Sequence, residues 1–257
     1  MDVPENILDR RRLLRLAALG ATLAATASRA AADTPNSVKA IAFDGFVIFD
    51  PRPVSGLCET LFPGHGAALG ELWSRRQFEY CWLRTLTGRY ADFWTVTEES
   101  LRYAAAQLKL ELTAEKRDGL MQSFLTLQAY PDVRPGLQRL RAAGIRLAFL
   151  SNLTEHMLAA NLASAGLGDF FEAMLSTDRV QAYKPDPRAY RMGVDDLGLR
   201  KEEIVFAAFG GWDAAGAKSF GYRTFWANRR ALPVEELGIR PDAIGATVSD
   251  LAAFATA

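Results

Sequence analysis

Val38-Lys39-Ala40-Ile41-Ala42-Phe43-Asp44 decides how the rest of the chain is read. A short apolar run that stops at a carboxylate fits a buried strand with the acid at its carboxyl end. Working outward, strand-like runs then alternate with helical ones. Leu137 to Ala143 is helical, and Ile145-Arg146-Leu147-Ala148-Phe149-Leu150 is a strand ending at Ser151-Asn152. Glu155 to Ala165 is a helix closed by Gly166, and Phe171 to Leu175 is a strand. Pro187 to Leu197 is a helix closed by Gly198, Ile204 to Ala208 a strand, Asp213 to Phe220 a helix closed by Gly221, and Tyr222 to Ala227 a strand. Such alternation implies an α/β fold with a doubly wound parallel sheet.

The stretch after the first strand is different. Residues 51–64, rich in Pro and Gly, read as a loop. From Gly66 to Gln128 apolar residues recur at helical spacing (Leu69, Leu72, Trp73, then Leu101, Ala104, Leu108, then Leu120, Phe124, Leu127) with no strand among them. This predicts a helical cap, 51–130, inserted into a core made of 38–50 and 131–257. Trp73, Trp82 and Trp94 are expected in the packing of that cap.

The 257 residues carry 30 Lys+Arg against 30 Asp+Glu. A neutral balance argues against nucleic acid as a partner, and no apolar run reaches the roughly 20 residues that span a bilayer. Cys58 and Cys81 read as two ordinary cysteines, and His65 and His156 lie near no cysteine pair, so no zinc set is expected. The N-terminus differs again: Arg10-Arg11-Arg12-Leu13-Leu14-Arg15, an apolar Leu16–Thr26, and an Ala30-Ala31-Ala32 site. Residues 1–32 fit a twin-arginine signal peptide, with export to the periplasm and no stable membrane insertion after processing.

In open parallel sheets ligands bind beyond the carboxyl ends of the strands. Asp44, Ser151, Asn152 and Asp213 are the polar residues there, and Lys184, in Tyr183-Lys184-Pro185-Asp186 before a helix, is the natural counter-ion of Asp44.

These motifs (Phe43-Asp44, Ser151-Asn152, Tyr183-Lys184-Pro185-Asp186 and Trp212-Asp213) resemble the haloacid dehalogenase superfamily. Leu72-Trp73, Gln77, Glu79-Tyr80, Trp82-Leu83-Arg84 and Arg89-Tyr90 in the cap narrow the resemblance to the type II 2-haloacid dehalogenases. The resemblance implies that Asp44 attacks C2 of a short 2-haloacid, expels halide and forms an ester that water hydrolyses, without metal or cofactor. It implies that Lys184 keeps Asp44 ionised, that Ser151 and backbone N–H groups hold the substrate carboxylate with Asn152 also a substrate-binding residue, that Tyr190 supports the site through its hydroxyl, and that Asp213 holds Lys184 and orients the water. Phe46 and Trp212 flank this set and are candidates to line an apolar pocket. A homodimer is compatible with the resemblance.

Four positions depart from that pattern. The segment after Asp44 is one residue short. The cap arginine that would cradle the halide falls on Ser74, with Arg75 next door as a candidate replacement. Gly210 stands in place of an asparagine, and Ala208 in place of a serine. Phe46 and the single acid in Phe209-Gly210-Gly211-Trp212-Asp213 also disfavour the Mg²⁺-dependent phosphatases of the superfamily. Hydrolysis of another small ester or phosphate-like substrate, or an exported carboxylate binder without turnover, stay open as alternatives.

Overall fold

The computed structural model describes residues 38–257, so the export signal read from residues 1–32 lies outside the described residues. Six strands form a parallel sheet in the order β5-β4-β1-β6-β7-β8. They are β1 (Ala40–Phe43), β4 (Arg146–Ser151), β5 (Ala173–Ser176), β6 (Ile204–Ala208), β7 (Arg223–Ala227) and β8 (Ala243–Gly245). β1 is central and wholly buried, which is why its sequence lacks the alternation of a half-exposed strand. Phe43 stands level with Phe149 of β4 and Ala207 of β6, so three strand ends meet at Asp44.

The two faces of the sheet bury different residues. Ile41, Phe43, Phe149 and Val205 point into a large apolar layer with α6 (Val133–Ala142), α7 (Glu155–Ala165) and α10 (Val248–Ala255). Ala40, Ala42, Leu150 and Phe206 face the smaller layer containing Tyr190 of α8 (Pro187–Leu197) and Ala214 and Ala217 of α9 (Gly211–Phe220). α7 and α8 end on glycines in left-handed conformation, as the sequence suggests, with φ of 62° at Gly166 and 65° at Gly198.

Between β1 and the sheet's second half lie α1 (Gly45–Ile48), then β2 (Phe49–Asp50), which pairs antiparallel with β3 (Gln128–Ala129). This two-residue ribbon carries the helical cap: α2 (Arg52–Leu61), α3 (Gly66–Leu86), α4 (Phe93–Gln107) and α5 (Ala114–Ser123). α2 corrects the reading of residues 51–64 as a loop. Pro53 sits in the first turn, where its missing N–H is not needed, and Val54 and Cys58 bury one face of the helix. The short ribbon, β8 and α10 were not read from the sequence.

Cys58 and Cys81 are buried free thiols. Trp73 is cap core and its indole N–H donates to the Thr97 carbonyl at 2.8 Å. Trp82 and Trp94, by contrast, are only partly buried, and each lines a cavity. Among the described residues no helix is long and apolar enough to cross a membrane.

Candidate active site

Asp44 follows β1 directly and caps α1: its Oδ1 accepts the Phe46 N–H at 2.9 Å. The segment that is one residue short is therefore an ordered helical turn. Asp44's own N–H donates to the Ala207 carbonyl at 2.9 Å, fixing the acid to β6. Lys184 reaches it from the loop before α8. Its ammonium donates to Asp44 Oδ2 at 2.6 Å and to Asp213 Oδ2 at 2.7 Å. Lys184 is fully buried, Asp213 is 1% exposed and Asp44 8%.

Burial opposes a charge on Lys184, but the carboxylates of Asp213 and Asp44 reverse that and hold its pKa above the ordinary lysine value. Burial pushes Asp213 up to about 6, against the pull of Lys184 and of Tyr190. Tyr190 donates to Asp213 Oδ1 at 2.7 Å, and burial raises its own pKa far above that of a free phenol. Gly216 makes this approach possible: a Cβ there would stand 2.6 Å from both the Tyr190 hydroxyl and Pro185.

Ser151, buried at the end of β4, accepts the Leu153 N–H at 3.1 Å, leaving its hydroxyl proton available as a donor. Asn152 also has a partner within the protein. Its Oδ1 accepts the Lys184 N–H at 3.2 Å, so its carbonyl positions the lysine backbone and only its amide NH₂ can serve a ligand.

Aromatic rings form the rim. Phe46 lies 5.9 Å from Phe209, and Trp212 packs at 5.4 Å against both Phe78 and Trp82 of the cap. Phe78 and Trp82, four apart, share the face of α3 turned toward Trp212, and at about 100° per residue Ser74 and Arg75 flank that face on its two sides. The Arg75 side chain is 57% exposed and lies 4.0 Å from Glu79.

Gly210 has an unremarkable φ of −89°, so its backbone does not require glycine. Space does: a Cβ would come 2.7 Å from the Trp212 indole nitrogen. A cavity of about 530 Å³ lies beside Lys184, lined by Trp82, Thr85, Leu86, Tyr183, Pro185, Asp186 and Pro187. A second, of about 570 Å³, lies among Asp92, Trp94, Thr154, Glu155, His156, Asp178 and Arg179. Neither is lined by Asp44. Among the described residues no group of three or more His, Cys, Asp or Glu is arranged to hold a metal ion.

Sequence reasoning missed Arg229 and Asp132. They pair at 2.8 Å, and Arg229 also donates to the Val47 carbonyl of α1 at 3.0 Å, tying the nucleophile's helix to the end of β7. No local signal marks a contact between residues so far apart in the chain.

The chain matches the family model "haloacid dehalogenase-like hydrolase" over residues 38–221. It is 41% identical over 206 residues to (S)-2-haloacid dehalogenase of Pseudomonas sp. (strain YL), covering 80% of this chain and 89% of that protein. Identity to haloacetate dehalogenase H-2 of Moraxella sp. (strain B) is 38%, covering 80% and 92%. The L-2-haloacid dehalogenase of Xanthobacter autotrophicus with chloropropionic acid covalently bound superposes with a TM-score of 0.78 at 33% identity, over 84% of this chain and 98% of that one. The chain belongs to the haloacid dehalogenase-like hydrolases and is a relative of the (S)-2-haloacid dehalogenases.

Proposed function

We propose that this hydrolase cleaves the carbon–halogen bond of a short 2-haloacid, with Asp44 as nucleophile. The observation that carries the reading is the buried Asp44–Lys184–Asp213 set, in a chain whose relatives share this reaction class. An Asp44 carboxylate oxygen attacks C2, the carbon–halogen bonding pair leaves with the halide, and an ester joins Asp44 to the acid. Water then adds to the ester carbonyl carbon. Lys184 and the Phe46 N–H already donate to the two Asp44 oxygens, so they stabilise the oxyanion formed in that step. Asp213 holds Lys184 and receives or orients the water proton. Collapse releases the hydroxy acid and restores Asp44. No metal takes part.

Halide release from 2-chloro- and 2-bromopropionate by purified protein, with and without EDTA, tests the reading. Asp44→Asn is expected to lose at least about 10⁴-fold in rate, the order seen when a catalytic unit loses its nucleophile. Single turnover in ¹⁸O-water should place the label in Asp44. Activity that disappears with EDTA and returns with Mg²⁺ would favour a phosphatase-type site instead.

The protein is exported through the residue 1–32 segment, a reading supported by Arg10-Arg11 and the Ala30–Ala32 site. Fractionation should recover a shortened chain beginning near Asp33 in the periplasm. Full-length cytoplasmic protein, unchanged by Arg10→Lys with Arg11→Lys, would contradict it.

A further inference from the structure

α1 is a single turn, Gly45–Ile48, yet it carries the Phe46 N–H that bonds to Asp44 Oδ1. One turn of helix is unstable alone, so its orientation is set by what it touches. On one side a Cβ at Gly45 would stand 2.6 Å from Leu153 Cδ1 and 3.0 Å from Ser151 Oγ, so the turn lies hard against the end of β4. Its last carbonyls need partners, because Val47 and Ile48 are buried. The Ile48 carbonyl accepts the Tyr130 N–H at 3.1 Å, and the Val47 carbonyl accepts Arg229 Nη2 at 3.0 Å. The second donor is a side chain from beyond β7, 182 residues along the chain.

Arg229 is itself fixed. Its Nη1 and Nη2 donate to Asp132 Oδ1 and Oδ2 at 2.8 and 3.0 Å, and its guanidinium lies 3.7 Å from the centre of the Tyr130 ring. Asp132 also accepts the Val248 N–H of α10 at 2.7 Å. Burial opposes a charge on Asp132, but Arg229 and the Val248 N–H outweigh it and hold its pKa below the ordinary aspartate value. A planar, always charged fork that grips a carboxylate with both arms and a carbonyl with one has little freedom of direction. The carbonyl it grips is one residue beyond Phe46, whose N–H faces the nucleophile.

We propose that Arg229 is a positioning residue: through the Val47 carbonyl it keeps the Phe46 N–H aimed at the Asp44 carboxyl group, and so serves hydrolysis of the ester rather than its formation. The inference rests on the haloacid reading above. Its selectivity follows from where the charge goes. In ester formation, negative charge leaves the Asp44 oxygens for the halide, so a donor to those oxygens stabilises the starting carboxylate more than the transition state. In hydrolysis, water adds to the carboxyl carbon and charge returns to the same oxygens, where a donor already in place is worth most. Loosening α1 therefore leaves the first step unslowed and delays the second.

The test follows (S)-2-bromopropionate through single turnovers of wild type, Arg229→Ala, Arg229→Lys and Asp132→Asn. Bromide reports ester formation, hydroxy acid reports hydrolysis, and the mass of acid-quenched protein reports the ester between them. In wild type, bromide and hydroxy acid are expected to appear together. In Arg229→Ala the hydroxy acid lags and ester-bearing protein accumulates, while bromide release does not slow. Hydrolysis falls by roughly tenfold, short of the ~10²–10³ of an oxyanion donor lost outright. Arg229→Lys, which keeps a cationic donor, and Asp132→Asn, which keeps Arg229, show smaller lags. Amide hydrogen exchange of the resting protein, read by NMR, is the second measurement. Phe46 and Val47 should exchange at least about tenfold faster in Arg229→Ala, while Val205 and Phe206 of β6 stay protected, because the opening is local. Bromide and hydroxy acid slowed alike, or still appearing together in every variant, overturn the proposal, as does unchanged exchange at Phe46. If Arg229→Ala does not fold, the Lys and Asn variants decide by the same criteria. A wild type that releases no bromide overturns the haloacid reading alone, and exchange at Phe46 still decides the place of Arg229.

Discussion

On the core wall of the site, Lys184 bonds to Asp44 and Asp213, Tyr190 bonds to Asp213, and the Phe46 N–H bonds to Asp44. On the cap wall, the face of α3 turned toward Trp212 presents the rings of Phe78 and Trp82, while the flanking Arg75 already faces Glu79. The nucleophile is thus held by fixed donors, while the side where a leaving anion would be received has little charge to offer it. An anion developing in a transition state gains most from donors already in place. The contrast therefore locates the slow part of the chemistry in departure of the halide rather than in preparation of Asp44.

Breaking the core wall gives the largest effect. Lys184→Met leaves two buried carboxylates facing each other, a loss of about 3–5 kcal/mol for a buried pair deprived of one partner. Chemical denaturation should show this loss together with near-complete loss of turnover. An unchanged denaturation midpoint would mean that the carboxylates take up protons or water instead.

A milder perturbation of the same wall is pH. Asp213 is pushed up to about 6 by burial, against the pull of Lys184 and Tyr190. An acid with a raised pKa becomes neutral while the pH is still mildly acidic, so turnover should be full only above about pH 7, half-maximal near pH 6, and fall below it. The fall should approach tenfold per pH unit, because one proton removes one essential charge. Lys184 stays charged throughout, since its pKa is held above that of an ordinary lysine. The pH profile of kcat measures this, and a profile flat from pH 5 to 8 would show that Asp213 does not need its charge.

Sharpening the cap wall gives the smaller change. Ser74→Arg places a guanidinium at the edge of the α3 face that Phe78 and Trp82 turn toward Trp212, and chloride release should rise by roughly tenfold, about 1.4 kcal/mol of barrier. Gly210→Asn should not add to this gain. Its Cβ meets the Trp212 indole at 2.7 Å, so it displaces a ring that the cap holds in place. Halide-release rates for the two single variants and the double one separate these effects, and a Gly210→Asn that is itself faster would show that the indole yields without cost.

The same contrast separates what the sequence reveals from what it hides. The helices at Glu155–Ala165 and Pro187–Leu197 were legible because both ends are punctuated, by Thr154 or Asp186 before and by a glycine after. Asp44, Lys184 and Asp213 were legible because strand ends converge on one edge of a parallel sheet and opposite charges there must meet. α2 was hidden by Pro53 and Gly56, residues whose composition suggests a loop although their positions in the helix tolerate them. Asn152's bond to the Lys184 backbone and the Arg229–Asp132 pair join residues 32 and 97 apart, and no local pattern encodes such contacts.

The ribbon at the base of the cap bears on protein engineering. Asp50 and Gln128 are paired neighbours in the ladder, yet 77 residues separate them in the chain. Directly opposed antiparallel residues stand only about 4.5–5.5 Å apart, a gap that a tight hairpin turn spans. The cap is therefore a cassette whose two ends already touch. It can be exchanged for one of different length or lining without re-threading the parallel sheet, because the graft meets the core at a single fixed doorway. A library of such caps would vary the leaving-group side of the pocket while Asp44, Lys184 and Asp213 stay where the sheet has put them.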